Sequence, residues 1–232
     1  MFILAYNHIK QVVSYYNNYH MFGMFRQLLN LLYKRRCYIC KSTRDNAILC
    51  NDCLKKIRFL PTKPVKIINN ADVYSMTIYT GIIMKMIRGL KYHRKKDLAY
   101  YHAKLMYDYW KELHEDEEEY IIVPVPMHKT REKQRGYNHM NLIAQEFANL
   151  IYRTKNTTPQ YALSKEERES NLKNAFGINT KNIKLLRGKK ILILDDIITT
   201  GTTISEMVST LRSADYHVVK AFTASCSEFN IN

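Results

Sequence analysis

The sequence has no apolar run near the ~18 residues that a membrane helix needs, so no membrane span is expected. No secretory leader is expected either, because "MFILAYNHIK" has no basic start, long apolar stretch or small-residue cleavage site. A cytoplasmic location is the expectation. There is no GxxxxGK[ST] loop, which argues against a P-loop nucleotidase, and there is no internal repeat. Acids are scarce, with 21 Asp and Glu against 36 Lys and Arg, for a net charge of +15. That balance favours a phosphate-rich partner, either nucleic acid or a phosphorylated small molecule. A basic soluble surface with no dedicated polyanion is the alternative.

What is present is enough for a real core. The chain has 232 residues, of which 46% are hydrophobic, and one or two domains are expected. Tyrosine is unusually common at 18 residues. Interleaved Tyr and Lys can stack on and clamp a single nucleic-acid strand, although many of these rings are expected in the core.

Four zones follow one another. Residues 1–36 have a helical pattern, with Phe22, Phe25, Leu28, Leu29 and Leu32 at helical spacing. Residues 37–60 hold four of the five cysteines. Residues 61–72, "PTKPVKIINNAD", contain two prolines and read as a linker. From 73 to 232 apolar strands alternate with amphipathic helices. Residues 120–126, 189–196 and 216–226 read as strands, and 141–153 and 203–214 as helices. This alternation predicts an α/β fold, a parallel sheet covered by helices on both faces. The acidic run at 114–120 reads as a solvated helix end or loop.

"CYICKSTRDNAILCNDC" places Cys37 and Cys40 in one CxxC pair and Cys50 and Cys53 in another. Two such pairs can give four thiolates to a tetrahedral Zn²⁺. In a reducing compartment metal is a better reading than disulfides, with a redox CxxC or plain reduced thiols as alternatives. So short a ribbon has little core, so metal binding would supply most of its folding energy. Cys226 stands alone and reads as a small buried apolar residue.

"ILILDDIITTGTT", residues 191–203, runs from a strong strand into two adjacent acids and then into small and hydroxyl residues. In an open parallel sheet, ligands bind beyond the carboxyl ends of the strands. Gly201 permits tight curvature, while successive N–H groups and threonine hydroxyls can wrap a phosphate. Asp195 and Asp196 beside such a cradle can accept hydrogen bonds from sugar hydroxyls. A ribose 5-phosphate satisfies both halves. A Walker-B-like strand and a ligand-free strand–helix turn are the competing readings. The basic stretch Lys129, Arg131, Lys133 and Arg135 offers four cations near a strand end, where a pyrophosphate would bring several negative charges. An ordinary solvated basic loop is the alternative there.

The acidic-strand loop resembles the phosphoribosyl pyrophosphate (PRPP) motif of type I phosphoribosyltransferases. Together with "VPVPMHKTREKQRGYNHMNLIAQEFA", "TPQYALSKEERESNLKNAF", "YTGIIMKMIRGLKYHRKKDLA" and the cysteine ribbon, it resembles the ComF family of competence-associated proteins. The likeness runs from about residue 24 to the C-terminus. It implies a type I phosphoribosyltransferase-like sheet with a small N-terminal four-cysteine zinc ribbon. Asp195 and Asp196 would hold the ribose hydroxyls and carry the catalytic role, and Thr199, Thr200, Gly201, Thr202 and Thr203 would hold the 5-phosphate. The turn after "IIVPVP" would approach the pyrophosphate, Mg²⁺ would bridge pyrophosphate and ribose, and the basic stretch with Lys129, Arg131 and Arg135 would form a cover. Arg168 and Asn171 match the family's R..N pattern. Arg88, Lys91 and Tyr92 would line the same cleft or a nucleic-acid path. The family more often shows RGFNQ where this chain has Arg135-Gly136-Tyr137-Asn138-His139, and a lone histidine such as His139 is read as structural. Two functions follow: PRPP-linked handling of incoming single-stranded DNA in natural transformation, beside the uptake helicase and other competence proteins, or an active phosphoribosyltransferase of nucleotide metabolism whose acceptor the sequence does not name.

Overall fold

The computed structural model describes residues 34–113, 120–154, 189–217 and 219–229. Most of the expected N-terminal helical segment, most of the acidic run, and Arg168 and Asn171 lie outside them. The described residues fall into two compact units, those up to Lys56 in the first and those from Ile57 onward in the second.

In the first unit a turn after Cys37 is closed by Cys37 N–H donating to the Ser42 carbonyl at 2.8 Å and Tyr38 N–H to Ile48 at 2.7 Å. Lys41 and Asn46 take left-handed conformations, at φ 64° and 47°, so the chain can reverse within a few residues. A short helix, α1 (Asn51–Leu54), follows the second cysteine pair's first member. Among the described residues of this small unit, Cys37, Leu49, Cys50 and Cys53 are buried.

The second unit is built on β1 (Lys66–Ile68), β2 (Ala71–Ile78), α2 (Gly81–Tyr92), α3 (Leu98–Leu113), β3 (Tyr120–Pro124), α4 (Lys129–Arg135), α5 (His139–Thr154), β4 (Lys190–Ile198), α6 (Thr202–Ser213) and β5 (Val219–Cys226). The sheet order is β1-β2-β5-β4-β3. The β2–β5, β5–β4 and β4–β3 pairs are parallel, in line with the near-continuous burial of β4 and β5.

The edge departs from the expectation of a purely parallel sheet. β1 pairs antiparallel with β2, so residues 66–72 are a hairpin and not a linker. Its two-residue turn is Asn69-Asn70, at φ 48° and 55°. A hairpin turn of type I′ needs positive φ at both central residues, and asparagine tolerates it better than most other non-glycine residues. Asn69 then fastens the hairpin to α6 by donating to the Ser205 carbonyl, Ser205 Oγ and Ser209 Oγ at 2.9–3.1 Å.

Much of the aromatic content is spent on this core. Phe222 of β5 lies 5.3 Å from Trp110, 5.8 Å from Tyr109 and 6.2 Å from Phe147, ring centre to ring centre. Tyr107 and Tyr109 are buried on α3, whereas Tyr92 and Tyr100 remain 68% and 45% exposed. Tyrosine abundance is thus mostly packing in one stretch and surface in another.

Candidate functional site

The four parallel strands deliver their carboxyl ends to one edge of the sheet. β3 runs beside β4 with Pro124 opposite Leu194, and the pairing continues as Val125 N–H donates to Leu194 O at 2.8 Å. The turn that follows "IIVPVP" therefore leaves the sheet next to Asp195 and Asp196. β4 itself runs on to Ile198, two residues past the acids.

The two carboxylates have different surroundings. Asp196 is 5% exposed and is held from two sides. Lys91, near the end of α2, approaches its oxygens at 2.7 and 3.0 Å. His139, the first residue of α5, approaches Oδ2 through Nε2 at 2.5 Å. Burial acts to raise the Asp196 carboxyl, but the His139 hydrogen bond and the Lys91 charge outweigh it and bring it to about 2. Asp195 is half-buried and accepts from the Asp196 N–H at 2.8 Å. Burial, and then the neighbouring charge of Asp196, pushes its carboxyl up to about 7.

"RGYNH" is the local sequence that builds this arrangement. Gly136 ends α4 at φ 81°, a conformation open to glycine. The buried Tyr137 hydroxyl donates to the Leu90 carbonyl, tying this turn to α2 one residue before Lys91. Asn138 Oδ1 accepts from Met140 N–H at 3.0 Å and Asn141 N–H at 3.2 Å, capping α5. His139 then opens the helix against Asp196, and Arg135 Nη1 lies 2.6 Å from His139 Nδ1.

On the other side, Thr199 and Thr200 lead into Gly201, which sits at φ 90° as the N-terminal boundary of α6. Gly201 offers no capping side chain and the Thr202 N–H makes only a long contact to Thr200 Oγ1, 3.4 Å, so the leading N–H groups are left toward the loop. Thr200 and Thr202 hydroxyls are 3.0 Å apart, and Lys66 of β1 reaches the Thr199 carbonyl at 3.0 Å. Thr199, Thr200, Thr202 and Thr203 are exposed, whereas Gly201 is buried. A Cβ at Gly201 would run into Ile68 Cδ1 besides facing an unfavourable φ. Gly201→Ala is expected to lower the unfolding free energy by about 1–2 kcal/mol in urea titration, mostly from the left-handed backbone.

The basic stretch is a helix, α4, rather than a loop. Its Lys129, Arg131 and Lys133 are exposed, and Arg135 alone reaches inward. Sequence reasoning read His139 as structural; its contact to a carboxylate 57 positions away leaves no local signal.

In the first unit, the sulfurs of Cys37, Cys40, Cys50 and Cys53 all lie within 4.8 Å of one another. Cys37 and Cys53 are 3.8 Å apart, and Cys40 and Cys50 3.5 Å. A tetrahedral zinc thiolate site has sulfurs about 3.8 Å apart, given Zn–S near 2.3 Å. The set fits a metal ion such as zinc. Burial raises the Cys37 thiol, but backbone N–H groups of Cys40, Cys50 and Ile39 outweigh it and bring it to about 6. Burial and the neighbouring sulfurs raise Cys53, which a cation among them would reverse.

Residues 133–225 match the phosphoribosyl transferase domain family. Competence protein F of Haemophilus influenzae is 35% identical over 100 residues, which is 39% of this chain and 43% of that protein, less than half its length. DNA utilization protein YhgH of Escherichia coli is 28% identical over 200 residues, 75% of this chain and 83% of that protein. Competence protein ComFC of Bacillus subtilis is 22% identical over 169 residues, 72% and 68% of the two chains. With the mostly parallel sheet, the four-cysteine cluster and the loop after β4 in place, the chain is similar to the ComF family of phosphoribosyltransferase-like proteins.

Proposed function

We propose that the chain binds PRPP and acts in natural competence, handling incoming single-stranded DNA. The observation that carries the sugar-phosphate part is the juxtaposition at the carboxyl end of β4: a carboxylate pair followed at once by a glycine-centred, uncapped helix start. Asp195, half-buried and free of any lysine salt bridge within 4.0 Å among the described residues, accepts a ribose hydroxyl. The Thr199–Thr203 loop takes the 5-phosphate through backbone N–H groups and hydroxyls. The turn after Pro124 and the cations of α4 (Lys129, Arg131, Arg135) face the pyrophosphate. Mg²⁺ bound with the ligand would neutralise charge between pyrophosphate and ribose. Should pyrophosphate leave, these residues contribute position and electrostatics, stabilising its charge while Asp195 and Asp196 face the electron-poor ribose. Zinc in the Cys37, Cys40, Cys50 and Cys53 site would be structural.

The DNA part is supported by the run from Tyr92 to Asp97, exposed throughout, which carries His93, Arg94, Lys95 and Lys96. Tyr92 and the exposed Tyr100 offer stacking faces beside these cations. The names of the relatives, competence and DNA utilization, agree with this reading. No helix among the described residues is long and apolar enough to cross a membrane.

Calorimetry with Mg²⁺ and PRPP tests the sugar-phosphate reading, comparing the native protein with Asp195→Asn. The substitution keeps an oxygen for the Asp196 N–H and removes the charge. Binding by the native protein, weakened about tenfold or more in the variant, is expected; absence of native binding defeats the reading. In parallel, anisotropy with labelled single-stranded DNA should show affinity falling steeply with salt and falling again in Tyr92→Ala/Tyr100→Ala. Release of pyrophosphate with a defined acceptor would favour the transferase reading instead.

A further inference from the structure

We infer that His139 is a positioning residue: held by Arg135 with its proton on Nε2, it fixes Asp196 for the ribose hydroxyls and carries the influence of Arg135 to that carboxylate. The inference rests on the ribose-phosphate reading above and adds a part to that site that neither motif nor likeness assigned.

The hydrogen-bond chemistry determines the tautomer. Arginine only donates, so at 2.6 Å His139 Nδ1 must accept from Arg135 Nη1. The ring proton then lies on Nε2 and is donated to Asp196 Oδ2 at 2.5 Å. A protonated ring would set an N–H against the guanidinium donor. Burial draws the His139 pKa down, in keeping with a neutral ring. His102 makes a useful contrast: also buried, it has no hydrogen-bond partner on either ring nitrogen among the described residues. His139 has a partner on both.

The effect falls on Asp196. Oδ2 receives His139 and Lys91, and Lys91 also reaches Oδ1 at 3.0 Å. A carboxylate offers about four lone-pair sites, so these contacts fix its rotation and leave acceptor capacity in one set direction. Lys91 supplies charge balance from α2, and His139 supplies orientation from α5. Because Arg135 closes α4, the basic helix and the ribose carboxylate share one hydrogen-bonded chain. Arg135 therefore acts on ribose binding even when no pyrophosphate is present.

Ribose 5-phosphate separates this role from simple attraction of pyrophosphate. Calorimetry with Mg²⁺ would compare ribose 5-phosphate and PRPP on the native protein, Arg135→Ala, His139→Ala, the double variant and His139→Gln. Arg135→Ala and His139→Ala are each expected to weaken ribose 5-phosphate about tenfold, with the double variant no worse than the weaker single. His139→Gln, whose amide carries both a donor and an acceptor, should stay within about threefold of native. Nitrogen-15 NMR of the ligand-free native protein should show the neutral Nε2–H tautomer, and in Arg135→Ala, with Nδ1 no longer facing a guanidinium donor, the ring should protonate at higher pH than in the native protein. The relay is overturned if Arg135→Ala weakens PRPP alone, if the two losses multiply, if His139→Ala binds as the native protein does, or if the ring is protonated on Nδ1. Failure of the native protein to bind either sugar phosphate overturns the ribose-phosphate reading and the relay with it; native binding with unchanged variants overturns the relay alone.

Discussion

Asp196→Ala is expected to lower the stability of the sheet-bearing unit by about 3–5 kcal/mol, because it strips a buried ion pair of one partner. The Lys91 side chain is only 21% exposed, so its ammonium would be left poorly solvated, and the His139 Nε2–H would lose its acceptor. Urea unfolding at neutral pH followed by circular dichroism would measure this; a loss below about 1 kcal/mol would show that water or another group readily takes over. Asp195→Asn should act in the opposite sense. The folded-state pKa of Asp195, about 7, lies above the ordinary value of 3.8, so its contribution to stability is full below 3.8 and lost as pH rises through about 7. Removing that carboxyl should make the variant more stable than native at pH 8, with the gap closing toward pH 4. For Asp196 the sign is reversed. Its folded pKa, about 2, lies below 3.8, so its contribution is present above 3.8 and lost as pH falls toward 2. Thermal melts of both variants across this range would separate the two acids, since they predict slopes of opposite sign.

Removal of metal should have the largest effect on the first unit. Structural zinc sites of this thiolate type bind with about 10–16 kcal/mol at neutral pH, and the folding of a small ribbon is inseparable from that binding. Elemental analysis should find one zinc per chain, falling sharply in Cys50→Ser. Chelation should expose the backbone between Cys37 and Lys56 to rapid hydrogen exchange and proteolysis, and added Zn²⁺ should restore protection. Cys50 is a demanding choice, because its buried sulfur lies 3.5 Å from Cys40 and its N–H approaches Cys37 Sγ at 3.5 Å. A ribbon that stays protected after complete chelation would show that Leu49 and the turn hydrogen bonds suffice without metal.

How far each feature could be read from the chain depends on how local its cause is. The cysteine cluster and the Asp195–Thr203 loop are legible because each is contiguous: two residues separate the cysteines of a pair, and the strand, acids and phosphate cradle follow one another directly. The parallel strands are legible from their unbroken apolar runs. The Lys66–Asp72 hairpin is not, because its signal is a pair of asparagines behind two prolines, and only the left-handed backbone at Asn69 and Asn70 turns them into a strand reversal. The tyrosines divide by packing rather than by sequence: Tyr109 stacks on Phe222, whereas Tyr92 and Tyr100 face solvent.

The sequence by itself determined the α/β alternation, the four sulfurs and the acid pair joined to a glycine–threonine loop. Only the tertiary structure decided that the two acids differ. Lys91 comes to Asp196 from 105 positions away and His139 from 57, and neither contact has a periodicity or spacing that a sequence can show. A carboxylate's charge, orientation and basicity are set by what surrounds it after burial, and two identical neighbours on a strand point to opposite faces of the sheet. Adjacent in the chain, Asp195 and Asp196 therefore meet different partners.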